Sequence, residues 1–360
     1  MRTAEIDWNR VRRVLVVRLR SIGDTVLATP SLVALRRFLP ESEIDILVED
    51  WVAPVLDDFE GAGRLVAPAG GALSRLATAR EIRRRNYDVV FNLHGGTTAT
   101  FFARASGAPH RVGYENYHYS FLYNHRLSSA KDFWKREKTH SAEQQLALLG
   151  FVGIPVNDLP KSRLTVSEKA LNSGEQKLME QGGKHLDKLG EFVLMHPAAA
   201  FDTKEWAAEN FARVAEFLQS IGLTTIAIAT PQERRVLDNL KAQSSAPIYA
   251  FDNFTLPEIT ALASRARLFV GNDSGIAHMA AATGTPSVVI FGSSNRHHWR
   301  PWTDAPNEVV FEGFNCQPCP GFECKEFGEP RCIHNVTVES VTDAIGRVLA
   351  KERAGPKARS

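Results

Sequence analysis

Polar residues able to do chemistry cluster after a short apolar run in the second half of the chain. Residues 268–270 predict a buried strand that Gly271 and Asn272 end, and Asp273, Ser274, Gly275 and His278 follow it. Gly284 and Pro286 mark the end of the helix that begins there. Ser274 and His278 are four apart, so they share one face of the predicted helix. The free N–H groups of a helix start bind anions, above all phosphates. The pattern therefore predicts either a phosphate site or ordinary helix caps, and spacing alone leaves both open.

The same strand–turn–helix pattern occurs near the beginning of the chain. Residues 14–19 predict a central strand, which leads through Arg20 and Ser21 to Asp24. Asp24 stands where the active-site crevice opens in α/β sheets, beyond the carboxyl ends of the strands. It is either a helix N-cap or a general base that takes a proton from a hydroxyl. Pro30 either kinks the following helix or begins its regular part.

A third polar loop follows the predicted strand 192–195. It carries Lys204 and precedes a helix predicted over 210–219. A lysine after a strand is suited to contact phosphate, although most lysines are simply exposed surface residues. Glu233 follows the next predicted strand, 225–229, and is either a site residue or a first-turn glutamate favoured by the helix dipole.

Composition excludes several classes of protein. The chain has 360 residues, 44% hydrophobic and 23% charged, which suits two globular domains. The net charge of +2 argues against a general nucleic-acid binder. The predicted strands are not followed by a Gly-x-Gly-x-x-Gly fingerprint, which argues against an NAD enzyme. The sequence has no apolar run of about 18 residues and no signal peptide, so we expect a cytosolic protein.

Strands and helices alternate along both halves, which predicts an α/β protein. Further strands are predicted at 44–48, 89–93 and 287–291, and further helices at 72–85 and 142–149. A Pro-rich, polar passage over residues 154–162 predicts the start of the connection between two domains, 1–160 and 161–350. Residues 351–360 predict a frayed tail.

Basic and aromatic residues are unevenly distributed in the first half. Residues 1–38 contain eight Arg and three acidic residues, and residues 83–85 are an arginine run. These are either solvated surface or a face for a phosphorylated acceptor or an anionic membrane. Aromatic residues crowd positions 114–134, which form either an acceptor- or membrane-facing loop or a packed loop.

All four cysteines fall in one segment, at Cys316, Cys319, Cys324 and Cys332. In a cytosolic protein such clustering favours a metal site or redox chemistry over structural disulfides. The spacing differs from the paired Cys-x-x-Cys knuckles of common zinc sites. Plain reduced cysteines are therefore favoured here, with structural zinc as the alternative.

Three segments resemble one family of enzymes. Residues 268–292 resemble the donor-binding signature of the ADP-heptose:lipopolysaccharide heptosyltransferases, which belong to glycosyltransferase family nine and have the GT-B fold. Residues 18–30 resemble that family's amino-terminal motif, whose aspartate is the proposed catalytic base. Lys204-Glu-Trp206 resembles the loop whose lysine binds the donor diphosphate, although Ala198, Ala199 and Ala200 stand where relatives often carry Thr or Gly.

The resemblance implies two Rossmann-like domains facing across a cleft, with the donor in the second domain and the acceptor in the first. It implies Asp24 and Lys204 as the catalytic residues. The implied donor-binding residues are Asp273, Ser274, Gly275, His278, Glu233 at the ribose and Phe254 near the adenine. On the acceptor side, Arg111 lies in a segment resembling the family's Gly-Ala-x-x-Arg-x-Gly element, and His140 is implied by position. Arg20, Ser21 and His94 are weaker acceptor-side candidates, and His94 is otherwise an ordinary loop residue.

The expected function is inverting transfer of a heptose or related sugar from an ADP-sugar to a lipopolysaccharide inner-core or other glycolipid acceptor. The expected chemistry needs no metal and no cofactor besides the donor. We expect a cytoplasmic protein, with peripheral contact at the inner face of the membrane as a further possibility. The alternatives are a nucleotide-sugar epimerase or hydrolase of the same fold, and a non-catalytic nucleotide-sugar-binding protein.

Overall fold

The chain divides into two units, Met1–Thr165 (unit 1) and Val166–Ser360 (unit 2). The computed structural model describes residues 5–67, 70–182, 190–319 and 321–354. Each unit contains a six-stranded sheet in which neighbouring strands run parallel. The described part of the chain includes no helix long and apolar enough to cross a membrane.

Unit 1 is a doubly wound α/β domain. Its strands are β1 (Arg13–Val17), β2 (Glu43–Glu49), β3 (Gly63–Ala67), β4 (Val89–Asn92), β5 (His110–Tyr114) and β6 (His125–Leu127). Its helices are α1 (Ile22–Val26), α2 (Thr29–Phe38), α3 (Ala72–Arg84), α4 (Thr97–Ala105), α5 (Ala130–Trp134) and α6 (Ser141–Phe151). The sheet order is β3-β2-β1-β4-β5-β6, so the winding reverses between β1 and β4.

Local sequence explains how β1 and the helices after it form. Residues 14–17 of β1 are fully buried, as expected for a parallel strand covered on both faces. Ser21 is the N-cap of α1, and Pro30 lies in the first turn of α2. Pro30 therefore begins the regular part of the second helix, because a first-turn residue needs no intrahelical N–H bond.

Unit 2 repeats the same architecture. Its strands are β7 (Phe192–His196), β8 (Thr224–Ile228), β9 (Ile248–Phe251), β10 (Leu268–Asn272), β11 (Ser287–Phe291) and β12 (Asn307–Phe311). Its helices are α7 (Glu168–Gly182), α8 (Ala208–Ser220), α9 (Arg234–Gln243), α10 (Leu256–Arg265), α11 (Gly275–Ala282), α12 (Arg296–Trp299), α13 (Arg331–His334) and α14 (Val338–Ala354). The sheet order is β12-β11-β10-β7-β8-β9, which places the reversal between β7 and β10.

Two local expectations require correction. Gly271 and Asn272 were expected to end the strand, but both lie within β10 because they continue the ladder with β11. Gly271 is needed there, since a Cβ would lie 2.7 Å from the carbonyl oxygen of His196. The last helix runs to Ala354, so the first part of the predicted tail is helical, and residues 355–360 lie outside the described residues.

Candidate functional site

Two loops of unit 2 meet where the winding of its sheet reverses. The loop after β7 carries Lys204, and the turn after β10 carries Asp273. The Nζ atom of Lys204 lies 2.9 Å from Oδ2 of Asp273, and these side chains are 21% and 6% exposed. Lys204 also lies 5.7 Å from the ring centroid of Phe201. The structure therefore places a partly accessible ammonium group at the edge where open α/β sheets bind ligands.

Buried Asn272 joins the two loops. Its Oδ1 accepts a hydrogen bond from the main-chain N–H of Trp206 at 3.2 Å, and its Nδ2 donates to the carbonyl of Pro197 at 2.7 Å. Trp206 is itself fully buried and donates from Nε1 to the carbonyl of Val336 at 2.8 Å. The Lys204 loop is thus anchored at both ends, which reduces the entropy lost when Lys204 binds a ligand.

His196 and Ser274 form a second contact between these loops. The Nδ1 atom of buried His196 lies 3.2 Å from Oγ of Ser274. Burial lowers the pKa of His196 to about 4, although the negative charge of Glu233 opposes this shift. His196 is therefore neutral at pH 7 and bonds to the hydroxyl without adding charge to the site.

The start of α11 has the geometry of an anion site. Ser274 is its N-cap, but in the described structure its side chain makes no capping hydrogen bond and meets His196 instead. Gly275 begins the helix, and His278 is buried one turn later. The positive end of the helix dipole and the adjacent Lys204 together favour a negatively charged group at this position.

The remaining donor-side candidates follow the next two strands along the sheet. Glu233 follows β8, and its Oε2 accepts from the N–H and hydroxyl of Thr230 at 2.9 and 2.8 Å. Phe254 follows β9, where its ring centroid is 5.1 Å from that of Phe251. The two residues lie at the same edge as Lys204 and Asp273, because carboxyl ends of parallel strands share an edge. Glu233 also caps its turn, so its capping role is observed directly.

In unit 1, Arg18 organises the corresponding edge. Arg18 follows β1 and is buried, and its guanidinium forms an ion pair with Asp24 and donates to the carbonyl of Leu93 after β4. The other oxygen of Asp24 accepts from the hydroxyl of Ser21 at 3.0 Å and from its N–H at 3.3 Å. Asp24 is thus a first-turn residue of α1 and the N-cap is Ser21. Its carboxylate remains partly accessible, with 21% of the side chain exposed.

His94 lies in the loop after β4, beside these residues. Asn92 shapes that loop, because its Oδ1 accepts from the N–H groups of His94 and Gly95 at 2.9 and 3.0 Å. Burial and the positive charge of Arg18 lower the pKa of His94, so its ring is neutral at pH 7. The structure therefore brings Asp24 and His94 to one edge of the sheet, with Arg18 between them.

Other acceptor-side candidates have different surroundings. Arg20 is exposed. Arg111 lies early in β5, away from its carboxyl end, and its guanidinium donates to the carbonyls of Leu122 and Ala108 at 2.7 and 2.5 Å. His140 is buried as the N-cap of α6, with Nδ1 accepting from Ala142 at 3.1 Å. These contacts of Arg111 and His140 serve the fold.

The aromatic segment 114–134 divides into two parts. Tyr114 is buried and donates from its hydroxyl to the carbonyl of Gln144 at 2.6 Å, and the ring of Tyr117 contacts it edge-on. Tyr119 and Phe121 are 58% and 73% exposed. Part of the segment is therefore packed core, and the aromatic side chains of Tyr119 and Phe121 face solvent.

The Cys-rich segment contacts the Lys204 loop, because the hydroxyl of Thr203 donates to the carbonyl of Gly321. Cys316, Cys319 and Cys324 are partly exposed, Cys332 is buried, and all four thiols are free. Burial raises the pKa of the Cys332 thiol. Within the described residues, no group of three or more His, Cys, Asp or Glu side chains is gathered closely enough to hold a metal ion.

Comparison with known proteins identifies the family. Residues 75–328 match Glycosyltransferase family 9 (heptosyltransferase). The chain belongs to glycosyltransferase family 9. It is 27% identical over 321 residues to lipopolysaccharide heptosyltransferase 3 of Escherichia coli K12, covering 84% of this chain and 88% of that protein.

Solved structures show the same fold. A family 9 glycosyltransferase from Veillonella parvula aligns with a TM-score of 0.80 at 21% identity, covering 94% of this chain and 97% of that chain. The E. coli ADP-heptose lipopolysaccharide heptosyltransferase II aligns with a TM-score of 0.76 at 20% identity, covering 95% and 99%. The E. coli heptosyltransferase solved with ADP aligns with a TM-score of 0.70 at 18% identity, covering 93% of this chain and 99% of that chain. This glycosyltransferase therefore has the GT-B fold of two Rossmann-like domains.

Two residues that organise these edges were not among the sequence candidates. Arg18 and Asn272 are buried polar residues at the ends of central strands β1 and β10. The sequence could have identified them, because each is a charged or amide residue at the end of an apolar strand. Such a side chain needs a hydrogen-bond partner when it is buried. Their role is to hold Asp24 and the Lys204 loop in place.

Acid should destabilise unit 2 through His196. Its folded pKa of about 4 lies below the ordinary value of 6.5, so the unfolded state binds the proton first as the pH falls through that range. The free energy of unfolding therefore falls as the pH drops from about 6.5 to 4. This loss is on the order of 2 kcal/mol by pH 5. Urea unfolding at pH 7.5 and 5.0 should show a smaller acid loss for His196→Asn than for wild type.

The matched control is His118→Asn, at an exposed position of unit 1. Buried His125, whose pKa burial also lowers to about 4, is retained in every variant and contributes its acid loss throughout. An acid loss in His196→Asn equal to that of wild type would contradict the assignment.

Proposed function

We propose that this glycosyltransferase transfers a heptose from ADP-heptose to the inner core of lipopolysaccharide, with inversion at the anomeric carbon. Unit 2 binds the donor, and unit 1 binds the acceptor hydroxyl. The observation that carries the proposal is the ion pair of Lys204 with Asp273 beside the start of α11. The names of the relatives support the heptose and the lipopolysaccharide, and the ADP in a structural neighbour supports the nucleotide.

In this proposal Lys204 stabilises the leaving group. Breaking the bond between the anomeric carbon and the phosphate oxygen leaves negative charge on ADP. The ammonium of Lys204 and the N–H groups at Ser274 and Gly275 face the position of that charge, and a cation preorganised there lowers the barrier. Asp273 holds Lys204 in place before the donor binds, so little reorganisation is needed during the reaction.

Asp24 is the proposed general base. The acceptor hydroxyl loses its proton to the Asp24 carboxylate while its oxygen forms the new bond to the anomeric carbon. Attack from the face opposite the departing phosphate inverts the configuration. Arg18 and Ser21 orient the carboxylate through three hydrogen bonds. His94, being neutral, is available as a hydrogen-bond partner for the acceptor.

The neighbouring strand ends supply contacts for the nucleoside. Glu233 follows β8 and is proposed to accept hydrogen bonds from the ribose hydroxyls. Phe254 follows β9, and its half-buried ring is proposed to pack against the adenine. His278 supports the helix start from its second turn.

Removing the base should abolish transfer while donor binding persists. Purified wild type and Asp24→Asn would be incubated with ADP-heptose, with and without a deacylated inner-core acceptor, and ADP release measured. We expect acceptor-dependent release by wild type and a kcat lower by about 100- to 10,000-fold in the variant. The ADP dissociation constant, measured by calorimetry, should change less than about threefold because Asp24 lies in the other unit.

The control is Glu60→Gln, which removes an exposed carboxylate of unit 1 and should leave kcat unchanged. Product stereochemistry by NMR should show inversion. Equal donor turnover with and without acceptor would refute transfer and indicate a hydrolase or epimerase. Full activity of Asp24→Asn would refute the role of Asp24.

We further propose that unit 1 contacts the membrane through a groove between α3 and α4. The groove has a volume of about 610 Å³ and is lined by Leu76, Ala79, Arg80, Arg83, Arg84, Phe101, Arg104 and Ala105. Leu73 of α3 is 83% exposed, and Phe101 of α4 is 41% exposed. Among the described residues, Arg80, Arg84 and Arg104 have no acidic partner within ion-pair distance. Exposed apolar side chains among uncompensated arginines favour an anionic bilayer surface.

Vesicle sedimentation tests this surface. Wild type should bind vesicles of 70% phosphatidylcholine and 30% phosphatidylglycerol, and binding should weaken as salt rises. The triple variant Arg80→Gln, Arg84→Gln and Arg104→Gln should bind on the order of 100-fold less tightly, given about 1 kcal/mol per basic residue.

The control is the triple variant Arg126→Gln, Arg235→Gln and Arg265→Gln, which removes the same charge from exposed positions elsewhere. Equal loss in both triple variants would show a general charge effect and contradict the assigned surface. ADP-heptose turnover with a deacylated acceptor should be unchanged in both.

A further inference from the structure

An exposed aromatic side chain of the segment that follows β12 lies beside the Lys204 loop. Phe322 is 70% exposed, and its ring centroid is 4.6 Å from that of Phe201, with the two ring planes at 65°. The Nζ atom of Lys204 lies 5.7 Å from the centroid of the same Phe201 ring. The two rings therefore form a continuous apolar surface that extends from the ammonium group to solvent.

Hydrogen bonds hold the backbone that carries Phe322. The hydroxyl of Thr203, in the loop after β7, donates to the carbonyl of Gly321, the residue before Phe322. The N–H of Cys319 donates to the carbonyl of Ser293 at 3.1 Å, in the loop after β11. Because these contacts already fix the backbone, placing the Phe322 ring against a ligand requires little further ordering of the chain.

The sheet order places Phe322 on the side of Lys204 that is away from the nucleoside candidates. Ser293 follows β11, whereas Glu233 and Phe254 follow β8 and β9. The order β12-β11-β10-β7-β8-β9 puts the ends of β11 and β9 on opposite sides of β7. Because its segment is bonded to the loops after β7 and β11, Phe322 lies toward β11.

We propose that the exposed ring of Phe322, supported by Phe201, packs against the sugar ring of the donor. This inference rests on the proposed function, in which the nucleoside lies at β8 and β9 and the diphosphate at Lys204, so that the sugar extends toward β10 and β11. The carbon-bound hydrogens of a pyranose form an apolar face that an aromatic ring can cover. Ligand sites commonly combine such apolar walls with a few charged groups.

The contact makes Phe322 a specificity-determining residue for the sugar. Lys204 and the start of α11 bind phosphate whether or not a sugar is attached, whereas Phe322 touches the sugar alone. The contribution of Phe322 to binding therefore disappears when the sugar is transferred and ADP remains. Removal of the ring should weaken binding of the nucleotide sugar and leave binding of the free nucleotide unchanged.

Calorimetric titration of ADP-heptose and of ADP, both without acceptor, tests the contact. Phe322→Ala should weaken ADP-heptose binding about 3- to 10-fold, while ADP binding changes less than about twofold. The control is Phe151→Ala, which removes an aromatic side chain that is also exposed, at the end of α6 in unit 1. This control should bind both nucleotides as wild type does.

Phe322→Trp supplies a local spectroscopic readout. The indole keeps an aromatic face at this position, so ADP-heptose affinity should stay within about threefold of wild type. After subtraction of the wild-type emission, the fluorescence of the added tryptophan should shift to shorter wavelength with ADP-heptose and not with ADP. The sugar displaces water from the ring, whereas a purely structural role would give no such difference between the two ligands.

Failure of the sugar contact can be distinguished from failure of the proposed function. Equal ADP-heptose affinity in wild type and Phe322→Ala would overturn the contact. An equal loss for ADP and ADP-heptose would also overturn it, because Phe322 would then act by supporting Lys204 through Phe201. The proposed function itself fails if Lys204→Met binds ADP as tightly as wild type. Binding of ADP but not of ADP-heptose by wild type would overturn both.

Discussion

The parallel pairing of β7 with β10 determines where the polar residues of unit 2 meet. The register pairs His196 with Gly271, so both strands end at the same level of the sheet. Gly271 permits this pairing because any larger side chain would meet the His196 carbonyl. The loops that follow are then close enough for the Lys204–Asp273 and His196–Ser274 contacts. A change in this register would separate the ammonium group from the helix start.

In unit 1 a different buried polar residue holds together the loops that follow the two central strands. The pairing of β1 with β4 brings Val17 opposite Asn92, and the loops after them carry Arg18 and His94. Arg18 joins the two loops by bonding to both Asp24 and the Leu93 carbonyl, as Asn272 does in unit 2. In each unit a buried polar side chain at the reversal of the winding fixes the loops, because its burial is favourable only when its hydrogen bonds are made.

The sequence was sufficient to predict the central strands and the helix starts because these depend on local patterns. Apolar runs marked β1, β7 and β11, and Gly284 with Pro286 correctly marked the end of α11. The same reasoning placed a strand break at Gly271 and was wrong, since the close approach of β7 is a tertiary constraint that glycine satisfies. The signal at Gly271 was ambiguous between a break and close packing.

Side-chain partners were less accessible to prediction than secondary structure. Lys204 and Asp273 are 69 residues apart, and only the sheet order brings them together. The capping role of His140 and the carbonyl contacts of Arg111 also depend on surrounding loops that local pattern does not specify. The common cavity lined by the four cysteines likewise depends on the fold, because sequence spacing alone does not bring the four thiols together.

The proposed function requires that Lys204, held by Asp273, binds the β-phosphate of the donor nucleotide. Calorimetric titration of ADP and AMP against wild type, Lys204→Met and the exposed control Lys241→Met tests it most directly. Because charged hydrogen bonds contribute about 1.5 to 3 kcal/mol, Lys204→Met should weaken ADP binding about 10- to 100-fold while AMP binding changes less than about threefold. Lys241→Met should bind both nucleotides as wild type does. Equal ADP affinity in wild type and Lys204→Met, or an equal loss for ADP and AMP, would contradict the account.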